Sequence, residues 1–530
     1  MKKHLLALVS LSVISSIALA DTQSSFDSDA TGKTALANTQ PHFTSVSPEL
    51  TSGPRSDFNH AREDGKGGFF EAVLFGSRSI RSNELARYFF FNAQEELSVV
   101  EDFPAPADTV GTGFAKPKDL LAQEFNIYTV DGNFSSTITI RPQQSVIGLG
   151  LYYRQSFWKR HDKGRGFWLS LSSPITHVKN NMHLEENVIS TSAAVTEGNP
   201  TAVNNMIDAL NNPSWNFGKI STCSLKKTGL ADIEFKLGYE WLQHEPAHME
   251  SYIGVIIPTG NRQEAEYVFE PIIGRGKHAG VMFGSSLGLD IWDNEAGDKS
   301  IRFELANHTE YLFKRDHVRS FDLKYKPWSR YIQVYANEEQ ATEAANSPVA
   351  NTSATLATPG INVLTQEMSV IPGLVHDINS GFVFTCRKFQ AEVGYNFFAK
   401  RAEQVELACP WIEGPAIKDF VGAGQTNPIR NMAGNPYLEQ RVTGLLNAQI
   451  LIPVPLEQYA TVVIKETDLN LASAATPCLL TNTIYGTLGY RCDEREYPML
   501  GHVGASYTFA KNNDAVIARW TLWGKVAVAF

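Results

Sequence analysis

From residue 68 onward, hydrophobic and polar residues alternate one by one in segment after segment. The cleanest is 231–241, ADIEFKLGYEW. Ile233, Phe235, Leu237, Tyr239 and Trp241 fall on one face, and Asp232, Glu234, Lys236, Gly238 and Glu240 on the other. A period of two is the signature of a β-strand with one apolar and one polar face. The stretch 301–313 repeats it, setting Ile301, Phe303, Leu305, Tyr311 and Phe313 against Arg302, Glu304, His308 and Glu310. So do 68–76, 145–154, 167–171, 279–292, 389–397 (with Gln390, Glu392 and Asn396 on the polar face) and 502–510. Shorter alternations at 133–141 and 321–326 read as strands too. Residues 249–258 pair back on 231–241 as a hairpin, and 141–144, 159–166 and 511–514 read as turns.

The final segment, 515–530, is AVIARWTLWGKVAVAF. Its even positions carry no charge, while Arg519, Thr521 and Lys525 share the odd face. β-Branched Val526 and Val528 favour a strand. Sixteen residues exceed the usual soluble strand and suit one that crosses a bilayer at a tilt. Trp520 and Phe530 lie roughly 33 Å apart along it, which puts one aromatic near each membrane interface.

At the other end, MKKHLLALVSLSVISSIALA has a basic start, an apolar run and a small-x-small cleavage site before Asp21. That is the layout of a secretory signal peptide, 1–20. Its removal takes away Lys2 and Lys3 and no acid, so the net charge of −10 becomes −12. Residues 21–65, rich in Ser, Thr, Asp and Asn without period, read as a flexible periplasmic leader. No later segment approaches 18 consecutive apolar residues, which excludes a helical membrane protein. The mean hydropathy of −0.19 leaves a barrel open, because only alternate residues of a barrel strand face lipid. The expected fold is therefore all-β: a transmembrane antiparallel β-barrel over 66–530, with about 12 strands and an even count up to about 16. Long inserts at 93–120, 180–227, 337–375 and 405–480 are expected to be extracellular loops, one or more of which enters or covers the pore.

The acidic balance gives no support to nucleic-acid binding. Five cysteines are sparse, and the pairs Cys386–Cys409 and Cys478–Cys492 are the ones that would bridge within loops of an exported protein. His244-Glu245-Pro246-Ala247-His248 matches HExxH, but it lies between two strand patterns and holds a proline, so a turn is expected rather than a zinc helix. Gly274-Arg275-Gly276-Lys277 lacks the phosphate-loop spacing and reads as a basic loop between hairpins. Neither an enzyme nor a cofactor or metal site is expected.

The inward faces carry the candidate chemistry. Asp232, Glu234, Lys236, Glu240, Arg302, Glu304, His308, Glu310, Glu392, Arg519 and Lys525 are expected to line the pore, where charged side chains select solutes. The segment from Gly229 through Ile257-Pro258-Thr259-Gly260 resembles the outer-membrane transporter family named for the MetA pathway of phenol degradation. That resemblance implies a small barrel passing hydrophobic or aromatic compounds, although the long inserts here depart from it. More broadly, the signal peptide, the alternation and terminal Phe530 resemble outer-membrane porins. A porin-like channel for passive diffusion of small solutes in the cell outer membrane is the first expectation. A narrow transporter of hydrophobic compounds, or an adhesive surface barrel, is the alternative. The expected partners are outer-membrane lipid, the barrel assembly machinery acting on Phe530, small solutes, and further copies of the chain as in oligomeric porins.

Overall fold

The computed structural model describes residues 32–34, 36, 40–53, 67–92, 94–101, 120–160, 165–194, 202–244, 246–324, 326–346, 356–420, 459–492, 496–510 and 515–530. The segment 1–20 and the turn 511–514 lie outside these residues.

Twelve strands form one closed antiparallel barrel: β1 (Gly68–Ser79), β2 (Gln143–Arg160), β3 (Arg165–Asn181), β4 (Ile233–His244), β5 (Ala247–Ile257), β6 (Gly280–Asp293), β7 (Lys299–Leu312), β8 (Leu374–Cys386), β9 (Phe389–Lys400), β10 (Leu479–Cys492), β11 (Met499–Phe509) and β12 (Arg519–Ala529). Each pairs with its sequence neighbour, and β12 closes on β1 with Phe69 opposite Ala529. At that seam the main chains of Gly68 and Phe530 exchange hydrogen bonds of 2.8 and 2.9 Å. The short strand Leu225–Leu230 continues the line of β4 along β3.

One end of the barrel carries the short connections β2–β3, β4–β5, β6–β7, β8–β9 and β10–β11 together with Gly68 and Phe530. We call it the turn end. Every long connection lies at the other, the cap end. There the inserts pack into a common apolar core that includes Leu85, Phe89, Leu97, Ile138, Trp215 and Trp328, and it reaches rim residues Val375, Phe398 and Leu479. A four-stranded sheet (Leu120–Leu121, Glu96–Val100, Ser135–Thr139, Glu185–Ser190) and a three-stranded one (Arg315–Ser320, Thr365–Ile371, Gln404–Leu407) stiffen this cap.

Several expectations change. Ser135–Thr139 belongs to the cap and not to the wall: Ile138 is buried in the cap core instead of facing outward. In 321–326 only Asp322–Leu323 is a strand, paired with Leu469–Asn470 in the cap. The last wall strand begins at Arg519, because Ala515 and Ile517 are spent on the cap core. The cysteine pairs are ruled out by distance. Cys478 and Cys492 lie at opposite ends of β10, about 45 Å of extended chain, where a disulfide needs Cα atoms about 4.4–6.8 Å apart. Cys386 closes β8 at the turn end, whereas Cys409 follows the cap strand Gln404–Leu407. His244 and His248 sit on the β4–β5 hairpin, as expected.

The cap has a pH-sensitive joint. The rings of His278 and His317 stack at 4.8 Å, with Arg319, Arg315, Lys400 and Glu403 around them. His278 Nδ1 meets the Phe313 carbonyl at 2.9 Å; neither nitrogen of His317 has a hydrogen-bond partner among the described residues. Burial, reinforced by Arg319, pushes the His317 pKa down to about 3, and burial lowers His278 as well. The folded cap thus binds fewer protons than the unfolded chain. The two histidines therefore contribute stability that is fully present above about pH 6.5 and is lost as the pH drops from there toward 3. Limited proteolysis will show the cap opening at pH 4.5 and intact at pH 7.5, and His317→Phe will flatten that difference.

Candidate functional site: a filled lumen

The barrel's two faces divide as the alternation predicts. Outward side chains such as Leu74, Ile147, Ile253, Leu488, Val503 and Leu522 are 61–66% exposed, while their neighbours in sequence are turned inward. Rings gather in two outer belts. The turn-end belt holds Tyr153 against Phe530, Phe167 against Tyr239, Tyr239 against Trp241 and Phe389 against Tyr490. The cap-end belt holds Tyr311 against Phe313 and Tyr507 against Trp520 and Phe509.

All eleven residues expected on the inner face are there, and the structure gives each a partner. Asp232, Glu234 and Glu310 converge on a residue that the sequence places only in a basic loop between hairpins. Arg275, carried in by the 258–279 connection, is 6% exposed. Its Nη2 donates to Glu234 at 2.7 Å and to Glu310, its Nε donates to Glu310 at 2.7 Å, and its backbone N–H donates to Asp232 at 2.6 Å. Gly274 allows this approach: its φ is +73°, and a Cβ there would stand 2.7 Å from the Asp232 carboxylate. Asp232 also accepts the Gly260 N–H at 3.3 Å, and Thr259 Oγ1 donates to the Ala231 carbonyl at 2.6 Å. Ala231-Asp232 and Thr259-Gly260, near the two ends of the segment 229–260, thus anchor this connection. From Glu310 the network passes to His308 (2.8 Å) and on to Tyr252 (2.8 Å), while Lys236 pairs with Glu234 at 3.2 Å.

Nearer the turn end, Arg154 holds Glu240 (2.8 Å) and Glu250 (2.7 Å) and lies 4.0 Å over the Trp168 ring. Lys525 pairs with Glu71 at 3.2 Å, Arg302 with Asp290 at 2.6 Å, and Glu304 lies 3.8 Å from His248. Arg154, Glu71 and Glu250 are missing from the expected set, although parity alone places them inward.

The larger surprise is residues 40–53. They lie in the segment read as a flexible periplasmic leader, yet they run through the lumen. Gln40 bonds to Thr481 (2.9 Å) and Asn396 (3.4 Å); His42 meets Ser77 (3.3 Å) and Arg519 (3.2 Å). Thr44 donates to Asp377 at 3.1 Å and Ser45 to Glu234 at 2.6 Å. A single helical turn, Pro48–Thr51, leads to Ser52 and to Gly53, whose N–H donates to Glu392 at 2.8 Å. Upstream, Lys33 bonds to the Tyr88 carbonyl and Gly32 accepts from Arg330, so this segment enters from the cap. Its hydroxyls and polar backbone, read as disorder in the sequence, match the polar wall of the lumen.

The packing leaves small cavities among the described residues. One of about 60 Å³ at the cap side is lined by Phe43, Val146, Val178, Phe269, Ile273 and Arg275, among others. Another of about 110 Å³ toward the turn end is lined by Arg154, Trp168, Lys236, Glu250, Tyr252 and Glu392, among others. Glu234 lines the first and its ion-pair partner Lys236 the second, and Ser45 is seated on Glu234 between them.

No protein-family model matches the sequence, and no curated protein matches it. Among solved structures, a COG4313 outer membrane channel from Pseudomonas putida F1 aligns over 88% of this chain and 96% of its own, at 7% identity and a TM-score of 0.35. A Pseudomonas aeruginosa FadL homologue aligns over 95% and 97%, at 8% identity and 0.29. The transport unit of the autotransporter AIDA-I from Escherichia coli aligns over 87% and 89%, at 6% identity and 0.28. No function is carried across at such scores.

Proposed function

We propose that this chain is an outer-membrane channel for small solutes, held shut by its own residues 40–53. The observation that carries the reading is a charged lumen inside an apolar outer band bounded by two aromatic belts. Between those belts, an outward charge would cost about 2–4 kcal/mol at mid-bilayer, and β12 presents Leu522, Gly524, Val526 and Val528 there. The turn end, with the chain terminus, faces the periplasm and the cap faces outward, as in barrels whose long loops are extracellular. Export follows from the signal peptide. Phe530, seated at the seam, is the feature the assembly machinery reads. Transport, rather than catalysis, is the role inferred.

Purified full-length protein in planar bilayers will give small, infrequent conductance steps, and a chain lacking residues 33–53 will give large, stable ones. If neither form conducts while both are folded, the channel reading fails. A second reading, uptake of apolar or aromatic compounds, draws on the apolar part of the cap-side cavity, where Phe43, Val146, Phe269 and Ile273 meet. It would be favoured by saturable binding of such compounds without ion conductance.

A further inference from the structure

The lumen holds residues 40–53 in the way a receptor holds a peptide. Four wall side chains grip the main chain. Arg519 Nη1 donates to the Gln40 carbonyl (3.2 Å), and Asn379 Nδ2 to the Val46 carbonyl (3.1 Å). Lys525 Nζ donates to the carbonyls of Leu50 (3.3 Å) and Ser52, and Glu392 accepts the Gly53 N–H (2.8 Å). Main-chain contacts of this kind fix an extended or turning backbone and are indifferent to its sequence, whereas pockets for particular side chains supply selectivity.

One side chain is selected by shape. The Phe43 ring lies parallel to Phe75, 6.2 Å away and tilted by 8°. It covers inward-facing Gly150, where a Cβ would stand 2.1 Å from the ring. Two residues back on β2, a Cβ on Gly148 would stand 2.3 Å from the Phe75 ring. Both positions are in ordinary strand pairing with β1, so the glycines serve space and not backbone conformation. Together they form a slot one aromatic ring wide. The next two residues, Thr44 and Ser45, donate their hydroxyls to Asp377 and Glu234.

We propose that the lumen is a binding site for extended peptides carrying one aromatic side chain, and that residues 40–53 occupy it as an internal surrogate. The proposal names the solute class of the channel and rests on the channel reading only for the claim that bound peptide is cargo. The tethered copy acts at a millimolar effective concentration, so an external peptide competes once the internal one is weakened.

The test uses full-length protein and the synthetic peptide QPHFTSVSPELTSG, which is residues 40–53, labelled with a fluorophore. Phe43→Ala protein is expected to bind it about tenfold more tightly than wild type, the worth of one aromatic contact. A peptide with alanine in place of its phenylalanine is expected to bind Phe43→Ala about tenfold more weakly than the parent peptide. Phe43→Ala/Gly150→Leu, which fills the slot from the wall, is expected to lose binding of the parent peptide. Chymotrypsin cleavage after Leu50 reports whether the internal segment has been released. A Phe43→Ala protein that stays protected at Leu50 overturns the slot's role. One that is cleaved yet binds no peptide overturns the receptor assignment. Indole that binds Phe43→Ala as tightly as the peptide does reassigns the slot to free aromatics and overturns it likewise. Peptide binding without bilayer conductance leaves the site standing and removes the channel reading instead.

Discussion

Replacing Arg275 by methionine is expected to destabilise the protein by about 3–5 kcal/mol, the cost of stripping one partner from a buried ion cluster. Arg275 is the cation on which Asp232, Glu234 and Glu310 converge, and all four side chains are at most 6% exposed. Lys236 and His308 remain, but each already serves one of these carboxylates. The connection 258–279 will lose its hold on the lumen while the β-pairing of the wall persists. Thermal unfolding followed by circular dichroism will show an early transition absent from the parent, and bilayer conductance will rise. Pairing the change with Glu310→Gln removes one of the stranded charges. The double variant is therefore expected to recover part of the loss, with a coupling well above the roughly 0.5 kcal/mol expected of independent sites. Equal losses in single and double variants would show that the cluster does not hold the connection.

The second large effect lies in the cap. Trp328→Ala is expected to cost about 3–5 kcal/mol, the range for emptying a large aromatic site from a packed core. Trp328 is 1% exposed, its ring packs against Phe90, Phe91 and Tyr331, and its indole N–H donates to the Phe89 carbonyl at 2.8 Å. Its backbone N–H is held by Asp322, which also takes the Arg330 N–H and guanidinium, and Arg330 in turn holds the Gly32 carbonyl. The Trp328 ring therefore joins the connections after β1 and β7, and its neighbour Arg330 ties in the entering N-terminal segment. The cap will become protease-sensitive in Trp328→Ala, with the barrel still resisting unfolding in detergent. Loss of the barrel along with the cap would mean that the two are one cooperative unit.

The strands that are legible in the sequence are those with charges on the inner face and large apolar groups on the outer one. β4 and β7 are the clearest cases. β10 escapes notice because its inner face is Thr481, Thr483, Tyr485, Thr487 and Gly489, polar but uncharged, and its outer face includes Asn482 and Gly486. β8 escapes for the opposite reason: Val375 and Val383 point inward while His376 and Ser380 point outward, so parity no longer separates polar from apolar. The inner positions of the candidate site follow from parity alone. The filling of the lumen does not. Arg275 reaches it from a connection without period, and residues 40–53 carry no regular alternation, because neither follows the pleat of a strand. What marks them afterwards is complementarity with residues far away in sequence, such as Ser45 with Glu234 or Gly274 with Asp232, and a single sequence does not display it.

The seam between β1 and β12 limits the ways in which the molecule can be put together. Residues 40–53 lie inside a ring of twelve strands. On one side the chain is fastened by Lys33 and Gly32 to the cap; on the other it continues from Gly53 toward Gly68, itself part of the ring. A thread fixed in this way is laid in before the ring shuts, or its free end is drawn through afterwards. Pairing of Gly68 with Phe530 is where the C-terminal strand meets the first and the ring shuts. With the thread laid in first, that closure makes the wall continuous around it, and the molecule leaves assembly with its lumen already occupied.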